Sequence, residues 1–219
     1  APVAYQVGRK EFFSLPLAVS PAVLIPRPDT ETVVVEFLNQ LKDRPDARAV
    51  DVGTGSGAIA LACASQHTSA RLLATDVRPE ALAVARRNAE TLGLADRVTF
   101  FEGDLLEPVA RLGPFDAILS NPPYIRTDEM AGLEPGVRDF EPHLALDGGA
   151  DGLRVVTRLI AQAVPLLKPG GHLILEIGAA QEQPVRDLLA ACAELALGPT
   201  LRDAANHPRV VRATRRETT

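Results

Sequence analysis

Cysteine is scarce in this 219-residue chain, which has only Cys63 and Cys192, both in Ala/Leu-rich stretches with helical patterning. A disulfide framework is thereby excluded, and two buried thiols in a reducing compartment are expected. Histidine is also sparse. His67, His143, His172 and His207 show no metal-ligand spacing, so each is read as a surface or capping residue and no metal site is expected. Positive charge is not in excess: 23 Lys and Arg stand against 28 Asp and Glu, for a formal net charge of -5. The basic footprint that grips a nucleic-acid backbone is missing, which disfavours nucleic acid as a direct substrate. No apolar run approaches the roughly 18 residues of a membrane span, and no basic-then-apolar signal opens the chain. Ser14, Ser20 and the other serines lack a Gly-x-Ser-x-Gly context, so nucleophilic catalysis has no support. What remains is an ordinary composition, 46% hydrophobic and 23% charged, enough for one good core. A monomeric, cytoplasmic protein is expected.

Strand and helix patterns alternate along the chain. "YQVGRKEFFSLPLAV" reads as a hairpin turning at Gly-Arg-Lys, and residues 1–25 as a hairpin and linker ahead of a catalytic domain over 26–219. "LIPRPDTETVVVEFLNQL" predicts a helix with Pro28 at its start. "RAVDVGTGSGAIALACASQ" gives a strand, a glycine-rich turn and a helix; "RLLATD", "RVTFFEGD" and "FDAILSN" give further strands, with the helix "RPEALAVARRNAETLGL" between the first two. "LRVVTRLIAQAVPLLKPG" predicts a helix closed by Pro-Gly, "GHLILEIG" a strand, "QEQPVRDLLAACAELAL" a helix, and "PTLRDAANHPRVVRATR" two last antiparallel strands. The alternation predicts an α/β doubly wound sheet, mostly parallel, with helices on both faces. One long connection, from Ile125 to Gly152, is of a length that usually carries function or moves.

Ligands in such sheets bind outside the carboxyl ends of the strands, where strand order reverses. After the first strand, Gly53, Gly55 and Gly57 in "DVGTGSG" allow a tight turn and let a ligand approach the amides of a helix N-terminus. Gly53, Gly55 and Ala58 also satisfy G-x-G-x-x-G/A, so this motif alone leaves a dinucleotide open. Asp76 closes the second strand, where a carboxylate can accept from both hydroxyls of a ribose. Asp104 closes the third, placed to accept from an exocyclic adenine amine. Three such features at successive strand ends describe a nucleoside site.

The fourth strand ends in "NPPY", Asn121 to Tyr124, and hydride transfer gives no reason for it. Methyl transfer from a sulfonium to an amide or amino nitrogen does. An amide nitrogen is a poor nucleophile because its lone pair is delocalised into the carbonyl. It must be held in line with the methyl carbon while acceptors engage its protons. Asn121 offers a side-chain oxygen and Pro122 a backbone carbonyl, so two acceptors meet two N–H donors. Pro123 stiffens the turn, and Tyr124 offers a flat apolar face for a planar amide. Such a reaction needs no Lewis acid, because the leaving group departs as a neutral thioether.

Taken together, "NPPY", "DVGTGSG", "VLIPRPDTE", "EPHLALDGGADGL" and the closing "RVV" resemble the HemK-type protein-(glutamine-N5) methyltransferases of peptide-chain release factors, from about Phe12 to about Arg212. The resemblance implies a class I S-adenosylmethionine-dependent methyltransferase with a seven-stranded sheet and an N-terminal β-hairpin. It implies that S-adenosyl-L-methionine is held by Gly53, Thr54, Gly55, Ser56, Gly57, Asp76, Asp104, Leu105 and Asn121. The substrate glutamine, from a Gly-Gly-Gln loop, would lie on Asn121, Pro122, Pro123 and Tyr124, with Asn121, Pro122 and Tyr124 serving the chemistry. "NPPY" alone is shared with methyltransferases of adenine amines and of ribosomal-protein glutamines, and these stand as the alternative; a silent nucleoside-binding module is argued against by the intact motif. Family members carry a small helical domain ahead of the hairpin, which this sequence lacks, and the chain opens at Ala1, so a trimmed N-terminus is expected. Asn206 replaces a usual Gly before "RVV", a turn residue that tolerates positive φ. Arg27, Asp29 and Glu31 are read either as closing over the substrate or as an N-terminal helix charge pattern.

Overall fold

Short runs of Val, Ile, Leu and Ala bounded by Gly, Asp or Pro become strands covered on both faces, which is why they read as continuous apolar runs and not as alternating ones. The structure, a computed structural model, describes residues 1–219. It opens with α1 (Val3–Val7) and a hairpin of β1 (Arg9–Phe12) and β2 (Leu15–Ala18). Next come α2 (Glu31–Leu41), β3 (Arg48–Val52), α3 (Ala58–Gln66), β4 (Arg71–Asp76), α4 (Pro79–Thr91) and β5 (Val98–Glu102). β6 (Phe115–Ser120) leads into the long connection with its short helix α5 (Pro135–Arg138), then α6 (Arg154–Ala163) and β7 (Leu167–Glu176). α7 (Glu182–Ala190), β8 (Leu195–Leu197), β9 (Leu201–Arg202) and β10 (Pro208–Arg215) complete the chain.

The sheet runs β5-β4-β3-β6-β7-β10-β8, with the two-residue β9 beside β10. β3, β4, β5, β6 and β7 are parallel, and β10 is antiparallel to β7. This is the doubly wound, mostly parallel sheet that the sequence predicts, and its order reverses between β3 and β6. One core layer joins Phe37 and Leu41 of α2, Leu61 of α3 and the hairpin residues Phe12 and Leu17. The opposite layer joins Phe115, Leu159 of α6 and Leu189 of α7. No helix is long and apolar enough to cross a membrane.

Several boundaries differ from the sequence expectation, each for a local reason. Tyr5 to Val7 are helical, because Gly8 adopts a left-handed conformation (φ 81°) and caps α1 through its N–H to the Ala4 carbonyl at 2.8 Å. The hairpin therefore turns at Phe13 and Ser14, both at positive φ (49° and 63°), and not at Gly-Arg-Lys. A two-residue hairpin loop demands that conformation whatever the residues, and Glu31 steadies it by accepting from the Phe13 N–H at 2.8 Å. Pro169 and Gly170 lie inside β7 rather than closing a helix, at a shift of register against β6. Leu195–Leu197, read as helix, pairs instead with β10 as an edge strand. Asn206 takes positive φ (65°), as its type permits.

Two histidines are not surface residues. His67 is buried and caps: its Nε2 donates to the Leu41 carbonyl at 2.9 Å while Nδ1 accepts from the Ala70 N–H at 3.1 Å. His172 lies buried in β7 against the Thr214 hydroxyl at 2.9 Å, and burial pushes its pKa down to about 4. Cys63 is buried, whereas Cys192, just past the end of α7, is only half-buried; both are free thiols.

Asn88 shows how the hairpin is joined to the rest. Its Nδ2 donates to the carbonyls of Ala18 at 3.0 Å and Ser56 at 2.9 Å, and its Oδ1 accepts from the Ala18 N–H at 2.7 Å. Truncating this buried side chain strands backbone groups of both partners, each costing about 1–3 kcal/mol. Asn88→Ala is expected to lower the unfolding free energy by about 3 kcal/mol, measured by denaturant unfolding; an unchanged midpoint would show that the joint carries no load.

Candidate active site

The carboxyl ends of β3, β4, β5 and β6 converge on a cavity of about 330 Å³. The glycine-rich turn crosses over β4, since the N–H groups of Gly53 and Thr54 both donate to the Thr75 carbonyl at 2.9 Å. Gly53, Thr54, Gly55 and Ser56 line the cavity. Gly57 does not. At φ 86°, a Cβ there would lie 3.0 Å from Leu61 Cδ1 and 3.4 Å from Ala85 Cβ, so this glycine lets α3 pack closely against α4.

Asp76 and Asp104 both reach the cavity, as does Leu105. Asp76 Oδ2 accepts from the Gly55 N–H at 2.9 Å and Oδ1 from the Arg78 N–H at 3.0 Å. Burial raises its pKa, and these amide bonds pull it back. A carboxylate has about four lone-pair sites, so acceptor capacity remains. Asp104 is already paired with the Arg158 guanidinium of α6, a partner that sequence reasoning missed, and any role at an adenine amine is shared with that cation. Leu105 sits at positive φ (51°), its carbonyl held by the Thr75 hydroxyl at 2.8 Å.

Asn121 and Pro123 line the same cavity, while Pro122 and Tyr124 are not among its walls. The turn is anchored at its base by Ser120, whose hydroxyl donates to the Val52 carbonyl at 2.7 Å. It is packed from behind by Gly148, where a Cβ would come within 2.9 Å of both the Pro123 carbonyl oxygen and Tyr124 Cα. Only a residue without a side chain lets the long connection lie so close. Burial, reinforced by the charge of Glu176, pushes the Tyr124 phenol up to about 12.

A glycine-rich turn, a strand-end carboxylate and Asn121 and Pro123 of the Asn-Pro-Pro-Tyr turn thus face one cavity, and comparisons with known proteins identify the family. The family model of the methyltransferase small domain matches residues 29–133. A release factor glutamine methyltransferase of Moorella thermoacetica is 49% identical over 216 residues, covering 99% of this chain and 76% of that relative. The chain belongs to the release factor glutamine methyltransferase family. A second member, from Bradyrhizobium diazoefficiens, is 47% identical over 97% of this chain and 72% of its own length. The crystal structure of a release factor-specific protein-(glutamine-N5) methyltransferase from Alicyclobacillus acidocaldarius superposes with a TM-score of 0.57 at 30% identity, over 91% of this chain and 99% of that one.

The two motifs that narrow the sequence to this family meet in space. Arg27 of "IPRPDTE" pairs with the buried Glu141 of "EPHLALDGGADGL", and Glu141 also accepts from the Ile25 N–H at 3.0 Å. The long connection is therefore tied down: the Ile125 N–H donates to the Leu146 carbonyl at 3.0 Å, and the Gly148 N–H to the Ile125 carbonyl at 2.7 Å. Of the three charged residues left open, Arg27 lines the cavity, Asp29 lies 3.6 Å from Arg209, and Glu31 serves the hairpin turn.

Two further carboxyls escaped sequence reasoning, although an acid inside an apolar strand is a signal. Asp51 is fully buried in β3; Oδ2 accepts from the Thr54 hydroxyl at 2.7 Å and the Ala60 N–H at 3.1 Å, while Oδ1 has no partner. Burial pushes its pKa up to about 7. Glu176 ends β7 beside Tyr124 and accepts from the Thr30 hydroxyl at 2.6 Å. Burial pushes its pKa from 4.5 to about 7 against the opposing pull of Thr30, Arg209 and Arg27. The folded state then binds this proton more tightly than the unfolded one. Its stabilisation is complete below pH 4.5 and is lost as pH rises through 7. Glu176→Gln is expected to flatten the fall in Tm between about pH 5 and pH 8, seen by thermal melts; parallel curves for variant and wild type would mean that Glu176 titrates normally.

Proposed function

We propose that this chain transfers a methyl group from S-adenosylmethionine to the side-chain amide nitrogen of a glutamine in the Gly-Gly-Gln loop of a peptide-chain release factor. One observation carries the reading: Asn121 shares a single cavity with the glycine-rich turn and Asp76, in a chain whose relatives bear that activity in their names. The residues present suit the cofactor. The turn of Gly53 and Gly55 brings backbone close to the cavity without side chains, and Asp76 keeps free lone pairs for a diol. When bound, S-adenosylmethionine supplies a methyl carbon on a positively charged sulfur.

The chain's own groups supply position. The Asn121 carboxamide oxygen and the Pro122 carbonyl accept the two N–H bonds of the substrate amide and favour a pyramidal nitrogen. Tyr124, held against Gly178, gives the planar amide a flat flank. Pro122 and Tyr124 do not line the cavity wall; Pro122 serves through its backbone carbonyl. Asp76 orients the cofactor end, and the Ser120 bond keeps both ends in register.

Incubating the chain with labelled cofactor and either purified release factor or adenine-containing DNA tests the proposal; label is expected in the release factor at the Gly-Gly-Gln glutamine, and label in DNA alone would overturn it. Asp76→Ala is expected to weaken cofactor binding by about 10- to 100-fold, the loss of charge-assisted bonds worth roughly 1.5–3 kcal/mol, with calorimetry as the measurement. Unchanged affinity would remove Asp76 from the site. Asn121→Ala is expected to lower kcat by at least about 100-fold with a smaller rise in KM, because its acceptor acts mainly in the transition state. A variant with near-normal kcat would place the chemistry elsewhere.

A further inference from the structure

The Asn-Pro-Pro-Tyr turn has a structural difficulty of its own. Pro122 and Pro123 carry no N–H, so the turn cannot be secured by donors from its own middle. It is stiff within itself, and its direction relative to the sheet is set by whatever grips its exit at Tyr124 and Ile125.

We propose that Gln181 is the positioning residue that fixes this exit, holding Asn121 and Pro122 where the transfer needs them. The inference rests on the function proposed above. Gln181 Nε2 donates to the Tyr124 carbonyl at 2.9 Å and to the Gly152 carbonyl at 3.3 Å, while its Oε1 accepts from the Gly178 N–H at 3.0 Å. One carboxamide thus joins the turn after β6, the end of the long connection and the turn after β7. Both of its donors are used. Its base is rigid, since Gln181 immediately precedes α7, its own N–H donates to the Gly178 carbonyl at 2.9 Å, and its carbonyl accepts from the Val185 N–H at 3.0 Å.

The surroundings are shaped for this reach. A Cβ at Gly152 would lie 2.7 Å from the Tyr124 carbonyl oxygen and 2.9 Å from Gln181 Nε2. A Cβ at Gly178 would lie 3.2 Å from both Gln181 Oε1 and Tyr124 Cδ2. Side chains at either position would push the clip and the ring apart. Gln181 is not among the cavity walls, so it acts through the turn. Glutamate cannot replace it, because an ionised carboxylate only accepts and would face two carbonyl oxygens. Methionine has the length without the donors.

The test compares Gln181→Met and Gln181→Glu with Gln183→Met, a control on the exposed face of α7 where Gln183 bonds only Asp187 at 2.7 Å. Folding is checked by thermal melts, cofactor affinity by calorimetry, turnover on purified release factor, and the turn by hydrogen exchange of peptides spanning residues 121–127. For the Gln181 variants kcat is expected to fall about 10- to 100-fold, with release-factor KM and cofactor affinity within about threefold of wild type. Exchange should accelerate across the turn, and the control should match wild type. A folded Gln181 variant with wild-type kcat, or with unchanged exchange in the turn, overturns the proposal. So does a kcat loss matched by an equal loss of cofactor affinity, which marks general loosening. If Gln181→Met does not fold, Gln181→Glu carries the comparison. If wild type leaves release factor unmethylated, the proposed function falls, and the exchange measurement alone still decides whether Gln181 holds the turn.

Discussion

The hydroxyl of Ser120 donates to the carbonyl of Val52 at 2.7 Å, and the geometry of the site depends on that bond. β3 and β6 are neighbours in the sheet, with Val52 opposite Ser120. The next residue on one strand is Gly53, the start of the glycine-rich turn, and on the other Asn121. Two motifs far apart in sequence therefore emerge side by side from strands about 4.8 Å apart. The Thr75 carbonyl, which takes the N–H groups of Gly53 and Thr54, and the Thr75 hydroxyl, which holds the Leu105 carbonyl, extend the same lacing to β4 and β5. Reversal of strand order opens the crevice; these strand-end bonds set its width.

Buried carboxyls at the two ends of the sheet meet different partners. Asp116, at the amino end of β6, is met by Arg44 at 2.7 Å, by Lys168 at 3.2 Å and by the Arg48 N–H at 2.8 Å. Burial alone would raise its pKa, but these partners hold it below the usual value. Asp51 and Glu176 lie toward the carboxyl ends of their strands and accept from hydroxyls and, for Asp51, one amide, with no cation in direct contact. Burial takes both up to about 7. The same chemical group is held as an anion where cations meet it at the amino end of the sheet, and pushed toward the neutral form where only hydroxyls and an amide meet it toward the carboxyl end. The difference follows from the partners each carboxyl meets: cations and an amide at Asp116, hydroxyls and one amide at Asp51 and Glu176.

What the sequence disclosed and what it hid divide along the range of the interactions. The strands, the turn at Gly53 and Gly55, Asp76 and the Asn-Pro-Pro-Tyr turn were legible because each depends on neighbours within a few residues: apolar runs, glycine conformations and proline restrictions. The hairpin turn was misplaced because Phe13 and Ser14 accept an unfavourable φ only with Glu31 held against them from α2. Motif spacing places Gly57 in the glycine-rich turn but cannot show that Leu61 and Ala85 crowd its Cβ position. β8 was read as helix because Leu195 to Leu197 follow a helical pattern until β10 offers them a partner. Arg27 and Glu141 were each noticed within a motif, yet their pairing is visible only in three dimensions.

Much of what holds the site together lies outside the cavity wall, in Ser120, Gly148 and Gln181. Attack on a methyl carbon needs the reacting atoms about 3–3.5 Å apart and aligned, and a misplacement near 1 Å can cost about 100-fold in rate. The spacing of adjacent strands brings the two half-sites close but leaves the stiff turn free to tilt about its base. Ser120 fixes that base, Gly148 allows the long connection to press on the middle, and Gln181 holds the exit. Three constraints on a turn that proline has already made rigid leave it no soft direction. Under the proposed function, the nucleophile's acceptors can then be as simple as one carboxamide and one backbone carbonyl, with the scaffold supplying the precision.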